Sequence, residues 1–247
     1  MEKGIVISDS HHPFHDPVTI KLVKRFIKDW EPNFIESLGD DIDFYAISTF
    51  DKDPERITKL DIEISKTRKY YKELRECAPD ADIEVEGGNH EDRLRRYIWK
   101  HAPALKNLDS LKLPELLGLN DQGISYRDYK VGREYKQIYF THGSVISKHS
   151  GWTAKAHYEK YGGNGICGHS HRGGNYLISK RGDTSGWWEN FCLCDLNPEY
   201  VDNPNWQQGF SLIYFLNDRF FIEQIPIVDH RFVVEGKYYY DDKKKVA

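Results

Sequence analysis

The sequence has no surplus of basic charge, few cysteines and no long apolar run, and each shortage narrows what the chain can be. Its formal net charge is −4. A protein that coats nucleic acid through many phosphates carries a basic field, so that class is set aside. A small substrate, or a few local contacts with nucleic acid, stays open. Four cysteines occur, Cys77, Cys167, Cys192 and Cys194, and none forms a Cys-x-x-Cys pair. The spacing is wrong for a zinc knuckle and reads as reduced core thiols in a cytoplasm. No apolar run approaches the roughly 18 residues of a membrane span. The first residues, MEKGIVISDS, lack the apolar stretch of a secretory signal. There is no internal repeat.

What is present is a chain of 247 residues, 39% hydrophobic and 30% charged. That balance and length suit one α/β domain spanning 1–247. Residues 4–8 form an apolar, β-branched run that reads as a buried strand ending at Asp9. Apolar spacing over 17–29 predicts an amphipathic helix with Pro17 at its start. A strand at 33–38, a helix within 54–77 and a strand at 82–86 continue a β-α-β-α-β pattern. Residues 93–108 begin helical and break at Pro103. Short strands are expected near 124–130 and 137–141. Runs at 164–167, 174–179, 190–196, 209–216 and 219–225 predict a second, more antiparallel sheet. The lysine-rich tail reads as a solvated end.

Five short motifs follow predicted strands. They are Asp9-Ser10-His11, Gly39-Asp40, Gly88-Asn89-His90-Glu91, Thr141-His142-Gly143 and Gly168-His169-Ser170-His171. One such motif alone marks a turn. Five in succession at strand ends gather carboxylate and imidazole donors where the ligand site of an α/β sheet lies. Such donors suit manganese, iron, zinc or nickel. The glycines allow a tight turn after each strand, which directs the next side chain inward.

The motifs resemble the calcineurin-like metallophosphoesterase superfamily, whose pattern is D-x-H, G-D, G-N-H-D/E, H and G-H-x-H in this order. The resemblance covers residues 9–171. It implies a four-layer α/β/β/α sandwich of two mixed sheets, with two divalent metal ions at the sheet edges. Manganese is the first choice, with nickel, iron or zinc as alternatives. Carried over by motif, one metal takes Asp9, His11, Asp40 and His171, and the other takes Asp40, Asn89, His142 and His169. Asp40 then bridges them, a geometry that sets metals roughly 3.5–4 Å apart. The implied reaction is attack of a metal-bridging hydroxide on a phosphodiester, with His90 as acid and stabiliser of the transition state. By the same resemblance Asp43 orients His90.

Phosphoprotein phosphatases of the superfamily continue G-D-x-x-D with Arg-Gly, whereas this chain reads Asp43-Phe44-Tyr45. That departure argues against a protein phosphatase. A nucleotide or nucleic-acid phosphodiester is the expected substrate. A phosphomonoesterase is the alternative, followed by a non-catalytic scaffold on the same fold. No coiled-coil insertion or basic domain of a DNA-repair assembly is present. If the chain is phage-encoded, it works in the host cytoplasm. His12, Arg93 and Arg172 are the candidate substrate contacts, with His15 also near the first motif. Arg93, Arg95, Arg96 and Lys100 form a basic helical face. Asp41 reads as solvated, and Trp206 as core ahead of a base platform. Lys148, His149, Lys155 and His157 belong to a segment expected to cap the cleft.

Overall fold

The computed structural model describes residues 1–56, 58–198 and 201–241. The tail at 242–247 lies outside them. In chain order the strands are β1 (Glu2–Ile7), β2 (Phe34–Ser37), β3 (Asp82–Glu86), β4 (Ser125–Arg127), β5 (Arg133–Tyr135), β6 (Ile138–Thr141) and β7 (Gly165–Cys167). They continue with β8 (Gly173–Lys180), β9 (Asp183–Asn190), β10 (Gln208–Leu216), β11 (Arg219–Ile227), β12 (Arg231–Val234) and β13 (Lys237–Tyr240). The α-helices are α1 (Pro17–Trp30), α2 (Leu60–Cys77), α3 (Glu91–His101), the single turn α4 (Leu113–Leu116) and α5 (Trp152–Tyr161).

The first sheet has the order β11-β10-β1-β2-β3-β4, and the second β5-β6-β7-β9-β8. Alternation along β1 shows how they stack. Ile5 and Ile7 join a core with Val23, Phe26 and Ile27 of α1 and with Tyr71 and Leu74 of α2. Val6, between them, packs with Ile138, Phe140 and Ile166 of the second sheet. The outer face of that sheet is closed by α5, where Ala154 meets Cys167 and Trp187. Helix, sheet, sheet and helix are therefore the four layers, as the resemblance implied. Each central strand is buried on both faces, which explains its continuous apolar run.

Helix α1 starts where Asp16 accepts from Val18 N and Thr19 N at 2.9 and 3.0 Å, with Pro17 as the first helical residue. Strands β1, β2, β3 and β4 run parallel to one another, as do β6, β7 and β9. Their C-terminal ends collect the motif loops on one edge of the sandwich. No helix among the described residues is long and apolar enough to cross a membrane.

Two expectations are corrected. The runs at 209–216 and 219–225 join the first sheet, because β10 pairs antiparallel with β1. Phe210 and Leu212 face the helices while Ile213 and Phe215 face the second sheet, so β10 reads as doubly buried without revealing its neighbour. The run at 190–196 is not a strand. The strand is β9, whose polar start hides it, and Cys192 and Cys194 make only isolated bridges.

Candidate metal centre

The loops after β1, β2 and β7 turn through left-handed backbone at their donor residues. Asp9, His11, Asp40, His169 and His171 have φ of 55°, 51°, 54°, 67° and 56°. Such angles are uncommon outside glycine and concentrate at functional sites. Gly39, immediately before Asp40, has φ 93°, and a Cβ there would meet Glu86 O at 2.5 Å.

The turned side chains converge in two groups. In one, His171 Nε2 lies 3.2 Å from Asp9 Oδ1 and 3.1 Å from His11 Nε2. In the other, His142 Nε2 lies 3.3 Å from Asp40 Oδ2, 3.0 Å from Asn89 Oδ1 and 3.2 Å from His169 Nδ1. Asp40 Oδ2 is also 3.9 Å from His11 Nε2, which joins the groups. Donors held roughly 2.0–2.2 Å from a common ion at tetrahedral or octahedral angles are separated by roughly 3.0–3.5 Å. These contacts match that spacing, while His11 Nε2 and Asp9 Oδ1 stand wider apart at 3.9 Å, and the donor set fits divalent metal.

The neighbours of the histidines set which nitrogen faces inward. His142 Nδ1 donates to Leu38 O at 2.8 Å, leaving Nε2 for the centre. His11 Nδ1 faces Asp43 Oδ2 at 3.2 Å, again leaving Nε2. Cys194 Sγ lies 3.8 Å from His171 Nδ1.

The electrostatics are those of buried carboxylates paired with imidazoles. Burial works against a charged His142, yet Asp40, with Asp9 behind it, pushes it up to about 10. Burial likewise opposes charge on His171, and Cys194 and Asp9 lift it to about 10. Burial also pushes the Cys194 thiol well above its usual range, so Asp9 is the partner that counts at neutral pH. His169 falls to about 4 through burial and the charge on His142. Burial would raise Asp40, but His142 and His90 hold it well below the carboxylate range.

Comparison with known proteins bears on this arrangement. No family model matches the chain. The gene 54 protein of Mycobacterium phage D29 is 31% identical over 248 residues, which span 94% of this chain and 96% of that protein. The gene 54 protein of Mycobacterium phage L5 is 29% identical with the same coverage. Among solved structures, Vps29 of Chaetomium thermophilum covers 97% of this chain and 99% of its own, with TM-score 0.52 and 12% identity. Vps29 of Entamoeba histolytica, solved with Zn²⁺, covers 94% and 96%, with TM-score 0.50 and 13% identity. These two structures share the fold. The chain belongs to one family with the phage gene 54 proteins.

His90, Asp43 and Arg93 lie beside the two donor groups. His90 Nε2 is 3.8 Å from Asp40 Oδ2, and His90 Nδ1 donates to Asp43 O at 3.0 Å. The Asp43 carboxylate lies 3.4 Å from the same Nδ1, so backbone and side chain of Asp43 both face His90. Burial opposes charge on His90, but Asp40 and Asp43 raise it above the ordinary histidine value. Arg93 reaches the cleft, with Nη1 donating to Asp43 O at 2.8 Å and Nη2 lying 3.0 Å from His90 Nε2. A cavity over this edge is lined by Tyr45, Phe50, Asn89, His90 and Arg93.

Other candidates are placed elsewhere. Arg172 is buried, donates to Ser147 O and lies 3.9 Å from Glu189. His12 turns away from the centre and packs against His15 and Tyr70. His157 is buried in α5 and stacks on Trp187. Arg95 and Arg96 pair with Asp92 along α3. Two readings are corrected. Trp206 is half-buried rather than core, with its ring 4.3 Å from that of His171. Asp41 is buried rather than solvated, and accepts from Ser37, Ser10 and Tyr71 at 2.6, 2.9 and 2.9 Å.

Glu91 is the residue that sequence reasoning passed over. Its buried carboxylate accepts from the backbone N–H of Asp40, Asp41, Ile42 and Gly88 at 3.0, 2.8, 3.2 and 2.7 Å. It ties the loop after β2 to the loop after β3. Its place as the fourth member of Gly88-Asn89-His90-Glu91 was the available signal.

Proposed function

We propose that this protein hydrolyses phosphodiesters, in a nucleotide or nucleic acid, at a centre of two divalent metal ions. The observation that carries the reading is the meeting of two donor groups at Asp40 with His90 beside them. Asp9, His11, Asp40 and His171 would hold one ion, and Asp40, Asn89, His142 and His169 the other. Bound there, divalent cations supply positive charge against the phosphate's non-bridging oxygens and make water in the cleft more acidic.

The protein's own groups then position and protonate. Asp43 fixes the His90 ring through its carbonyl and carboxylate. Nδ1 donates to that carbonyl, so Nε2 is the atom that exchanges a proton with substrate. Arg93 Nη2 donates toward Nε2 in this structure. A phosphate oxygen entering the cleft competes for Arg93 and frees Nε2 to carry the proton needed by the leaving oxygen. Phe50, 74% exposed at the cavity rim, offers a face for a nucleobase.

Arg93 is also the observation that favours the second reading, a phosphomonoesterase, because a monoester dianion gains most from an extra cation. Asp43 Oδ1 lies 3.2 Å from Arg93 Nη1, however, and offsets that charge. The diester reading therefore stands first. The ratio of kcat/KM for bis-p-nitrophenyl phosphate and p-nitrophenyl phosphate, at one pH and one manganese concentration, tests it. A ratio above one is expected, and a ratio well below one replaces it with the monoesterase.

A further inference from the structure

A second cavity, of about 240 Å³, opens between α1 and α2 and shares no lining residue with the metal centre. Its floor is made of polar groups that satisfy nothing. His12 is 3% exposed, and neither of its ring nitrogens has a hydrogen-bond partner among the described residues. The Tyr70 hydroxyl, on a residue equally buried, has none either. The two rings are 4.5 Å apart, and His15 lies 4.0 Å from His12 on the other side, with its Nδ1 also unpartnered.

The mouth is cationic. Lys24, Lys66 and Lys69 line it, against the single carboxylate of Glu73. Glu73 pairs with Lys24 and lies 3.7 Å from Lys69. Lys66 has no ion-pair partner among the described residues.

Buried polar groups in native proteins are ordinarily satisfied, so unpartnered ones aimed into a cavity call for a guest. Water would satisfy the hydroxyl and the imidazoles but brings no negative charge to the lysines. A cationic guest is repelled by the lysines, and an apolar one leaves every floor group unpaired. A tetrahedral oxyanion offers acceptor oxygens to the Tyr70 hydroxyl, to the one N–H of the His12 ring and to the ammonium groups at the rim. The cavity also has room for more than the anion alone.

We propose that this cavity is a binding site for a phosphate group, carried by inorganic phosphate or by a nucleoside monophosphate. The site abuts the metal centre through the chain itself. His12 follows His11, its N–H donates to Asp41 O at 2.8 Å, and its carbonyl accepts from Asp43 N at 3.0 Å.

Calorimetric titration of inorganic phosphate, and separately of AMP, into the metal-loaded full chain tests the proposal. Two classes of site are expected for at least one of these ligands. Tyr70→Phe and Lys66→Ala should each weaken one class by roughly tenfold or more and leave the other unmoved. Lys66 is exposed, so its variant keeps the test valid if Tyr70→Phe disturbs folding. Tighter binding of AMP than of phosphate in the affected class identifies the nucleotide as the source, and the reverse identifies free phosphate. A tungstate soak should place an anomalous peak within hydrogen-bond reach of Tyr70 Oη. One class of site for both ligands, or two classes unmoved by either variant, overturns the proposal. A tungstate peak without a matching class in solution, an adventitious ion only, overturns it too.

Discussion

Asp40 carries the most demands of any side chain in the centre. Its Oδ2 faces His142, His90 and His11, its Oδ1 accepts from His90 N at 2.8 Å, and its backbone is held left-handed. Asp40→Asn keeps the shape and removes the charge that both donor groups share. Metal content, measured by plasma mass spectrometry after gel filtration, should fall from two ions per chain to one or none. Two tightly held ions in this variant would contradict the bridging role. His90→Asn should leave metal content unchanged and lower diester turnover by roughly 10²–10⁴, the usual loss for an acid–base group. The loss should be smaller with p-nitrophenolate leaving, which needs no proton, than with an alkoxide. Metal loss together with activity would make His90 a ligand instead. At this scale the convergence of these side chains was legible because each sits in a short motif. The environment of Asp41, the role of Glu91 and the outward turn of His12 were not. Adjacent residues in a tight turn face opposite ways, and a sequence does not say which backbone N–H a carboxylate will meet.

Among the elements, the decisive ones are the loops after parallel strands, and glycine makes their close approach possible. A Cβ on Gly88 would meet Asp40 Oδ1 at 2.1 Å, and its α-carbon neighbours the loop that Glu91 ties down. Gly88→Ala therefore pushes on the buried Asp40 carboxylate rather than on a flexible surface chain. Overpacking of this kind costs about 1–3 kcal/mol. Thermal unfolding of the metal-free variant should fall by roughly 2–12 °C, and its manganese affinity should drop by tenfold or more. An unchanged melting temperature with unchanged affinity would show that the loop yields freely. The first three strands and α1 were readable from periodicity because each is apolar on faces the fold covers. Strand β9 was not, since Asp183, Thr184 and Ser185 begin it. The placement of β10 beside β1 is a long-range pairing that local pattern does not encode.

Across the whole molecule, the candidate metal donors come from both sheets: Asp9, His11, Asp40 and Asn89 from loops of the first, His142, His169 and His171 from loops of the second. Ions held there would cross-link the sandwich and would bind only when it is folded. Each site at a hundredfold excess over its Kd adds about 2.7 kcal/mol, which for a chain of this length raises Tm by roughly 5–11 °C. Scanning calorimetry with manganese and with chelator should show that rise, and equal melting temperatures would place the ions outside the folded centre. The fold class was legible at this scale through the resemblance. The cavity between α1 and α2 was not, because it depends on how two helices distant in sequence pack.

The central claim is that turnover belongs to a centre of two ions on these residues. Its most direct test is a titration of manganese into chelator-stripped protein while hydrolysis of bis-p-nitrophenyl phosphate is followed. The account predicts no turnover without metal and a rise to a plateau at two ions per chain. Turnover in stripped protein, or a plateau at one ion per chain, would contradict it.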